Sequence, residues 1–250
     1  PHGGLTYKTT MLKDLSPPPI GRGTCPGCYR PANACLCEQL VKLPTRTRFV
    51  LLMHPMEFKR EKAATGKLSH ACLPNSEIIW EENFTENKRV NALLSDPHNY
   101  VVLLYPGDHA KNVSKGEFLP EALGDRQLVV LLLDGTWACA KKMLKLSTNL
   151  HHLPRLMFTP TAQSQFHIKQ QPDPLCLSTI ESIMQFLDAL TEHGLEERGE
   201  WQGLMKPFMA MQQYQIDASL DPSRKSYRAG TYSRPEDRVP LRVNNRKLFF

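Results

Sequence analysis

Two clusters of residues have types and spacings suited to chemistry. The first is the stretch LLLDGTWACAKKML, residues 131–144. An apolar run stops on Asp134, passes through Gly135 and Thr136 to Trp137, and turns at once into a helical pattern. A carboxylate at that position can take up a proton or orient a polar ligand. Gly135 allows an unusual backbone angle or the close approach of a ligand. Thr136 or Asp134 can cap the helix that follows. The same four residues also suit a plain strand-to-helix turn, because capping signatures are common. The second cluster is CPGCYRPANACLC, with Cys25, Cys28, Cys35 and Cys37. Two short-spaced thiol pairs joined by a loop can converge tetrahedrally on one zinc ion. Pro26 and Gly27 give the first pair a tight knuckle. The remaining cysteines, Cys72, Cys139 and Cys176, are isolated, so the total is odd and no extracellular disulfide framework is suggested. Zinc is favoured over two disulfides, in a structural role, since four thiolates leave no open coordination position.

Other polar groups fall at the ends of apolar runs. His54 closes one run and is followed by Pro55, Glu57, Lys59 and Arg60, then by Thr65, Gly66 and Lys67 in a basic loop suited to a carboxylate or phosphate. Tyr105, Pro106 and Gly107 end another run. Ser178, Thr179 and Glu181 stand at a helix start, where Ser178 and Glu181 have capping-box spacing. Each of these has a bland alternative as a turn, a cap or a hydrogen-bonded strand-end histidine. Their accumulation at one ligand edge favours a site.

The elements that must position them are legible as short, β-branched runs: 48–54, 76–80, 100–106, 127–134 and 153–159. Their continuous apolarity predicts strands covered on both faces, as in a parallel sheet. Helices are expected over 86–95, 137–148, 178–192 and 198–216. Alternating strands and helices define an α/β domain, whose ligands gather beyond the carboxyl ends of the strands. The expected division is an N-terminal extension with the cysteine module (1–44), an α/β catalytic domain (45–216) and a basic tail (217–250).

The 250 residues, 41% of them hydrophobic, suffice for one sizeable core. The net charge of +6 suits an anionic partner. Eight Lys/Arg against three acids over 221–250 make the tail basic, with Tyr227 and Tyr232 interleaved as in a nucleic-acid-binding segment. No apolar stretch approaches the roughly 20 residues that span a bilayer, and no signal peptide is visible. The chain starts at Pro1 rather than Met, which leaves open a trimmed upstream segment. Phosphate-loop, dinucleotide-fingerprint, G-x-S-x-G and H-E-x-x-H motifs are all missing. This counts against the commonest nucleotide hydrolases, dehydrogenases and zinc proteases.

In order along the chain, the cysteine knuckle, HPMEFKREKAATGKL, LLYPG, LLLDGTWACAKKML, LPRLMF and LSTIES resemble the DTW-domain family, the tRNA-uridine aminocarboxypropyltransferases. The likeness covers residues 25–192, with QFHIKQQ, including His167 and Lys169, preceding the last motif. The resemblance implies a SPOUT-like α/β fold with a C-terminal trefoil knot. It also implies transfer of the 3-amino-3-carboxypropyl group of S-adenosylmethionine (SAM) to N3 of a tRNA uridine, with release of methylthioadenosine. Asp134, Thr136 and Trp137 then form the catalytic element. Asp134 serves as base or as orienter of the nucleobase or the SAM amino group, and Trp137 stacks on uracil or walls the SAM pocket. SAM is cradled by Tyr105, Pro106, Gly107, Leu132, Leu133, Asp134, Ser178, Thr179, Ile180 and Glu181. His54, Lys59, Arg60, Thr65, Lys67, Lys141, Lys142, His167 and Lys169 face the RNA substrate. A cytoplasmic location is expected from the thiols and the substrate; the oligomeric state is left open, with a monomer slightly favoured. The rival expectations are a SAM-dependent methyltransferase on the same scaffold and a noncatalytic zinc-containing RNA-binding protein.

Overall fold

The computed structural model describes residues 23–60, 63–169, 173, 175–223 and 237. The lead-in before residue 23, the side chain of Arg60 and nearly all of the basic tail lie outside the described residues. Six parallel strands form one sheet: β1 (Arg48–Met53), β2 (Ser76–Trp80), β3 (Asn99–Leu104), β4 (Lys111–Asn112), β5 (Gln127–Asp134) and β6 (Arg155–Met157), in the order β2-β1-β5-β3-β6-β4. The helices are α1 (Pro55–Arg60), α2 (Thr65–Cys72), α3 (Lys88–Ser95), α4 (Trp137–Leu146), α5 (Thr179–Glu192) and α6 (Met205–Leu220).

Strand alternation divides the core in two. Phe49, Leu51, Val130 and Leu132 point to one face, where they meet Leu68 of α2, Ile183, Phe186 and Leu190 of α5, and Phe208 of α6. Val50, Leu52, Val129 and Leu131 point to the other, against Val90 and Leu93 of α3 and Met143 of α4. Both faces are therefore covered, which is why the runs are apolar without a break. Each such side chain contributes about 1.5–3 kcal/mol on burial.

Because every strand is parallel, the carboxyl ends share one edge. β5 lies between β1 and β3, with Met53 opposite Asp134. The chain goes from β1 outward to β2 and then crosses to β3 on the other side of β5, so a topological switch point falls at the end of β5.

Three boundaries shift for local reasons. The run 100–106 leaves the sheet at Leu104, before Pro106, which has no N–H to give to a ladder. The run 48–54 ends at Met53 because Pro55 opens α1, a favoured position for proline. The helix expected over 198–216 is a 3₁₀ turn at Trp201–Leu204 continued by α6 to Leu220. One expectation is corrected: the basic loop after His54 contains two short helices, α1 and α2. No helix among the described residues is long and apolar enough to cross a membrane.

Candidate active site and metal centre

A cavity of about 590 Å³ opens at the carboxyl edge, within the size range of small-molecule sites. Its walls come from Leu104–Pro106 after β3, Leu132–Ala138 across the end of β5, Leu156–Phe158 of β6 and its exit, and Ser178 and Thr179 at the start of α5. Glu57, Thr65 and Lys169 add polar groups.

Asp134 is 4% exposed. Its Oδ1 accepts a 2.5 Å hydrogen bond from Thr179 Oγ1. Its Oδ2 is buried and has no hydrogen-bond partner among the described residues. Its carbonyl accepts from the His54 N–H at 2.9 Å, which ties the ends of β5 and β1 together. Burial pushes the carboxyl up from its ordinary range, against the Thr179 hydrogen bond and the charges of Lys169 and Lys67. A carboxyl whose charged form is disfavoured by burial is a stronger base, once ionised, than an exposed aspartate.

Thr136, not Asp134, caps α4: its hydroxyl accepts from the Cys139 N–H at 3.3 Å. Trp137 is the first residue of α4. At 38% exposure it stands on the cavity wall, while Ala140 and Met143 supply the buried face of the helix. Ser178 and Glu181 form the capping box. Glu181 also accepts from the Ser164 hydroxyl at 2.9 Å and the Gln165 N–H at 2.6 Å, so it clasps the loop after β6 to the start of α5.

The cavity thus brings together Asp134, Thr136, Trp137, Tyr105, Pro106, Leu132, Leu133, Ser178, Thr179, Thr65 and Lys169. Gly107, Ile180 and Glu181 do not line it, and Ile180 is fully buried in the core. Lys59 lies over the Trp80 ring at 4.7 Å and Lys67 over the Phe58 ring at 4.6 Å, with the two rings stacked at 5.5 Å between them. Lys67 Nζ also donates to the Phe58 carbonyl. His54 sits outside the cavity. Its Nδ1 accepts from the Met56 N–H at 3.2 Å, and its Nε2 faces Glu82 at 3.4 Å. Glu82 pairs in turn with Lys142 at 2.8 Å on the exposed face of α4, where Lys141 also lies. His167 is placed by its N–H, which donates to Gln212 at 2.6 Å. Glu57 and Gly66 enter the sequence reading only as members of the basic segment after His54, with no role in the site assigned to them. Glu57 is hidden among basic neighbours, and Gly66 carries the sole available signal, a glycine in the first turn of α2.

The cysteine centre lies apart from the cavity. Cys25 and Cys37 sulfurs are 3.3 Å apart, those of Cys28 and Cys35 3.8 Å, and all four lie within 4.8 Å of one another. All are free thiols, well beyond the roughly 2.05 Å of a disulfide bond. Four sulfurs about 2.3 Å from one tetrahedral ion stand about 3.8 Å apart, so the donor set fits a single four-coordinate metal. The Cys28 N–H, then the Cys37 thiol, pull the Cys25 pKa down to about 6, towards the thiolate a metal needs. Tyr29, with φ of 58°, makes the left-handed turn that brings the pairs round. Buried Arg30 fastens the module, its Nε donating to the Ala34 carbonyl at 2.8 Å and its guanidinium 5.4 Å from the ring centre of Tyr214 on α6.

A three-layer parallel α/β fold with a pocket at its switch point and a separate four-thiol cluster defines an α/β protein with a candidate ligand site and a candidate metal centre. The DTW domain model matches residues 22–216, and the chain belongs to the DTW-domain family. It is 31% identical over 207 residues to tRNA-uridine aminocarboxypropyltransferase 2 of Drosophila melanogaster, covering 80% of this chain and 78% of the fly protein. It is 29% identical over 235 residues to the Mus musculus protein of the same name, covering 91% and 74%. To tRNA-uridine aminocarboxypropyltransferase A of Arabidopsis thaliana it is 24% identical over 217 residues, covering 76% and 81%. No solved structure matches the chain significantly.

Proposed function

We propose that the chain is a tRNA-uridine aminocarboxypropyltransferase, moving the 3-amino-3-carboxypropyl group of SAM to N3 of a tRNA uridine. Asp134 carries the reading: a buried carboxyl with one oxygen held by Thr179 and the other without a hydrogen-bond partner among the described residues, on the wall of the cavity at the switch point. The SAM sulfonium offers three electrophilic carbons, and the one presented in line with the attacking nitrogen reacts. Uracil N3 loses its proton to Asp134 and bonds to the γ-carbon of the aminobutyrate chain. The γ-carbon–sulfur bond breaks, its electron pair goes to sulfur, and neutral methylthioadenosine leaves. The hydrogen bond from Thr179 to Oδ1 fixes the orientation of the carboxyl at the cavity wall. Trp137 stacks on the extruded base at the mouth, and Lys141 and Lys142 on α4 meet RNA phosphates.

We read the cavity as the SAM site of a SPOUT-like fold with a C-terminal trefoil knot. In support, the segments that follow β3, β5 and β6 all contribute to one pocket. The four-cysteine centre holds zinc in a structural role, and thiolates together with an RNA substrate suit the reducing cytoplasm. Elemental analysis is expected to find one zinc per chain. Cys28→Ser is expected to lose that zinc and lower the thermal midpoint, because the module packs on α6 through Arg30 and Tyr214. SAM binding measured below the lowered midpoint stays intact, because the centre lies outside the cavity; a variant that melts like the wild type removes the structural role.

The deciding experiment supplies unmodified tRNA with SAM labelled either in the aminobutyrate chain or in the methyl group. Chain label is expected to enter tRNA. Methyl label in its place establishes a methyltransferase using the same pocket. Neither label, together with no SAM binding, leaves a noncatalytic RNA-binding protein.

A further inference from the structure

We propose that Glu57 and Lys169 form a two-charge clamp for the amino acid end of the donor, the Glu57 carboxylate taking its ammonium and the Lys169 ammonium its carboxylate. The clamp deepens the proposed function and rests on the cavity being the SAM site. Both residues line the same cavity as Asp134. They arrive from different parts of the chain, Glu57 from α1 directly after β1 and Lys169 from the segment between β6 and α5. Lys169 Nζ stands 3.8 Å from Glu57 Oε1, with the side chains 36% and 13% exposed.

Three physical points favour a zwitterion there. Much of the surrounding wall is apolar, including Leu104, Leu132, Leu156, Phe158 and Phe166. Charges in such surroundings are costly unless balanced, so this opposite pair is a place where a charged ligand of net zero charge enters cheaply. Next, 3.8 Å is longer than a hydrogen bond. A ligand with its own ammonium and carboxylate on one carbon offers each of the two side chains a charge-assisted hydrogen bond. Finally, the Lys169 ammonium is 5.5 Å from the ring centre of Phe166, which fixes its approach to the cavity.

The clamp also divides labour between two carboxyls. With the ammonium on Glu57, Asp134 has no second ligand group to serve and is left for the nucleobase. Fixing the amino acid end holds the aminobutyrate chain and presents its γ-carbon rather than the methyl, so the pair sets which carbon reacts.

Calorimetric titration of the full chain tests this with SAM and with methylthioadenosine, which lacks the amino acid end. Glu57→Gln and Lys169→Met are each expected to weaken SAM by roughly tenfold or more and leave methylthioadenosine binding unchanged. Retained methylthioadenosine binding also shows that the variant pocket is folded. Lys169→Arg, which keeps the charge, is expected to retain SAM binding and controls for general disruption of the site. A wild-type chain that binds neither ligand overturns the donor reading and the clamp with it. A wild type that binds both, with variants unchanged for SAM or weakened equally for the two ligands, overturns the clamp alone. So does a Lys169→Met variant that loses only tRNA affinity, which makes Lys169 a phosphate contact.

Discussion

Asp134→Asn is expected to lower turnover by roughly 10²–10⁴-fold, the contribution of a positioned general base, while SAM binding persists and the folded protein becomes more stable at neutral pH. The last effect follows from burial. Asp134 is 4% exposed and burial raises its pKa above the ordinary 3.8. A carboxyl raised in the folded state favours folding in its protonated form. That stability is fully present below the unfolded pKa and is lost as pH rises through the raised folded value. At neutral pH the fold therefore carries the cost either of burying the carboxylate charge or of holding the group protonated, which asparagine, neutral throughout, avoids. Asparagine also keeps an oxygen to accept from Thr179. Thermal melts are expected to show a variant advantage near pH 8 that shrinks towards pH 4. The acid limb of the wild-type rate profile is expected above the usual carboxylate range, since the base must first ionise. Full turnover in the variant, with SAM still bound, ends the assignment of Asp134 as base and leaves it as an orienting group. A melt difference that does not change with pH removes the burial argument.

What could be read from sequence depended on how local its cause is. β5 reads as a strand because helices cover both faces of the sheet, and its end at Asp134 is marked by the abrupt change of residue type. The cysteine centre is equally local, four thiols within thirteen residues. The segment after His54 is different. α1 and α2 are six and eight residues long, too short to be stable alone. They are helical because Phe58 stacks on Trp80 and Leu68 enters the core, contacts with residues distant in sequence. The same distant contacts turn Lys59 and Lys67 onto aromatic rings, although their sequence neighbourhood reads as a phosphate-binding loop. They also leave Glu57, the acid in that basic run, on the cavity wall. Charge counted along the chain describes the run, and the helix geometry decides which charges reach the pocket.

Gly66→Ala is expected to make the tightest clash of any Gly→Ala change among the described residues, and the reason lies in Asp134. A Cβ built on Gly66 falls 2.0 Å from Asp134 Oδ2, 2.9 Å from its Cγ and 3.0 Å from Met53 Cε. None of these neighbours has room to yield: Asp134 is held by Thr179 at 2.5 Å, and Met53 is fully buried. The absence of a side chain at Gly66 is therefore what lets the first turn of α2 close over the carboxyl and shield it from water. Forcing a methyl into this contact is expected to cost about 1–3 kcal/mol of stability, as for overpacking in general. Displacing the carboxyl by about 1 Å costs on the order of 10²-fold in rate. A double-mutant cycle separates the two effects. In the Gly66→Ala background, Asp134→Ala removes the atoms at 2.0 and 2.9 Å, so it is expected to restore much of the lost stability and none of the activity. Additive melting effects would show that the methyl is accommodated by movement of α2, with the carboxyl left in place. Coupled effects establish that the pocket's raised carboxyl and the missing side chain above it are one structural device.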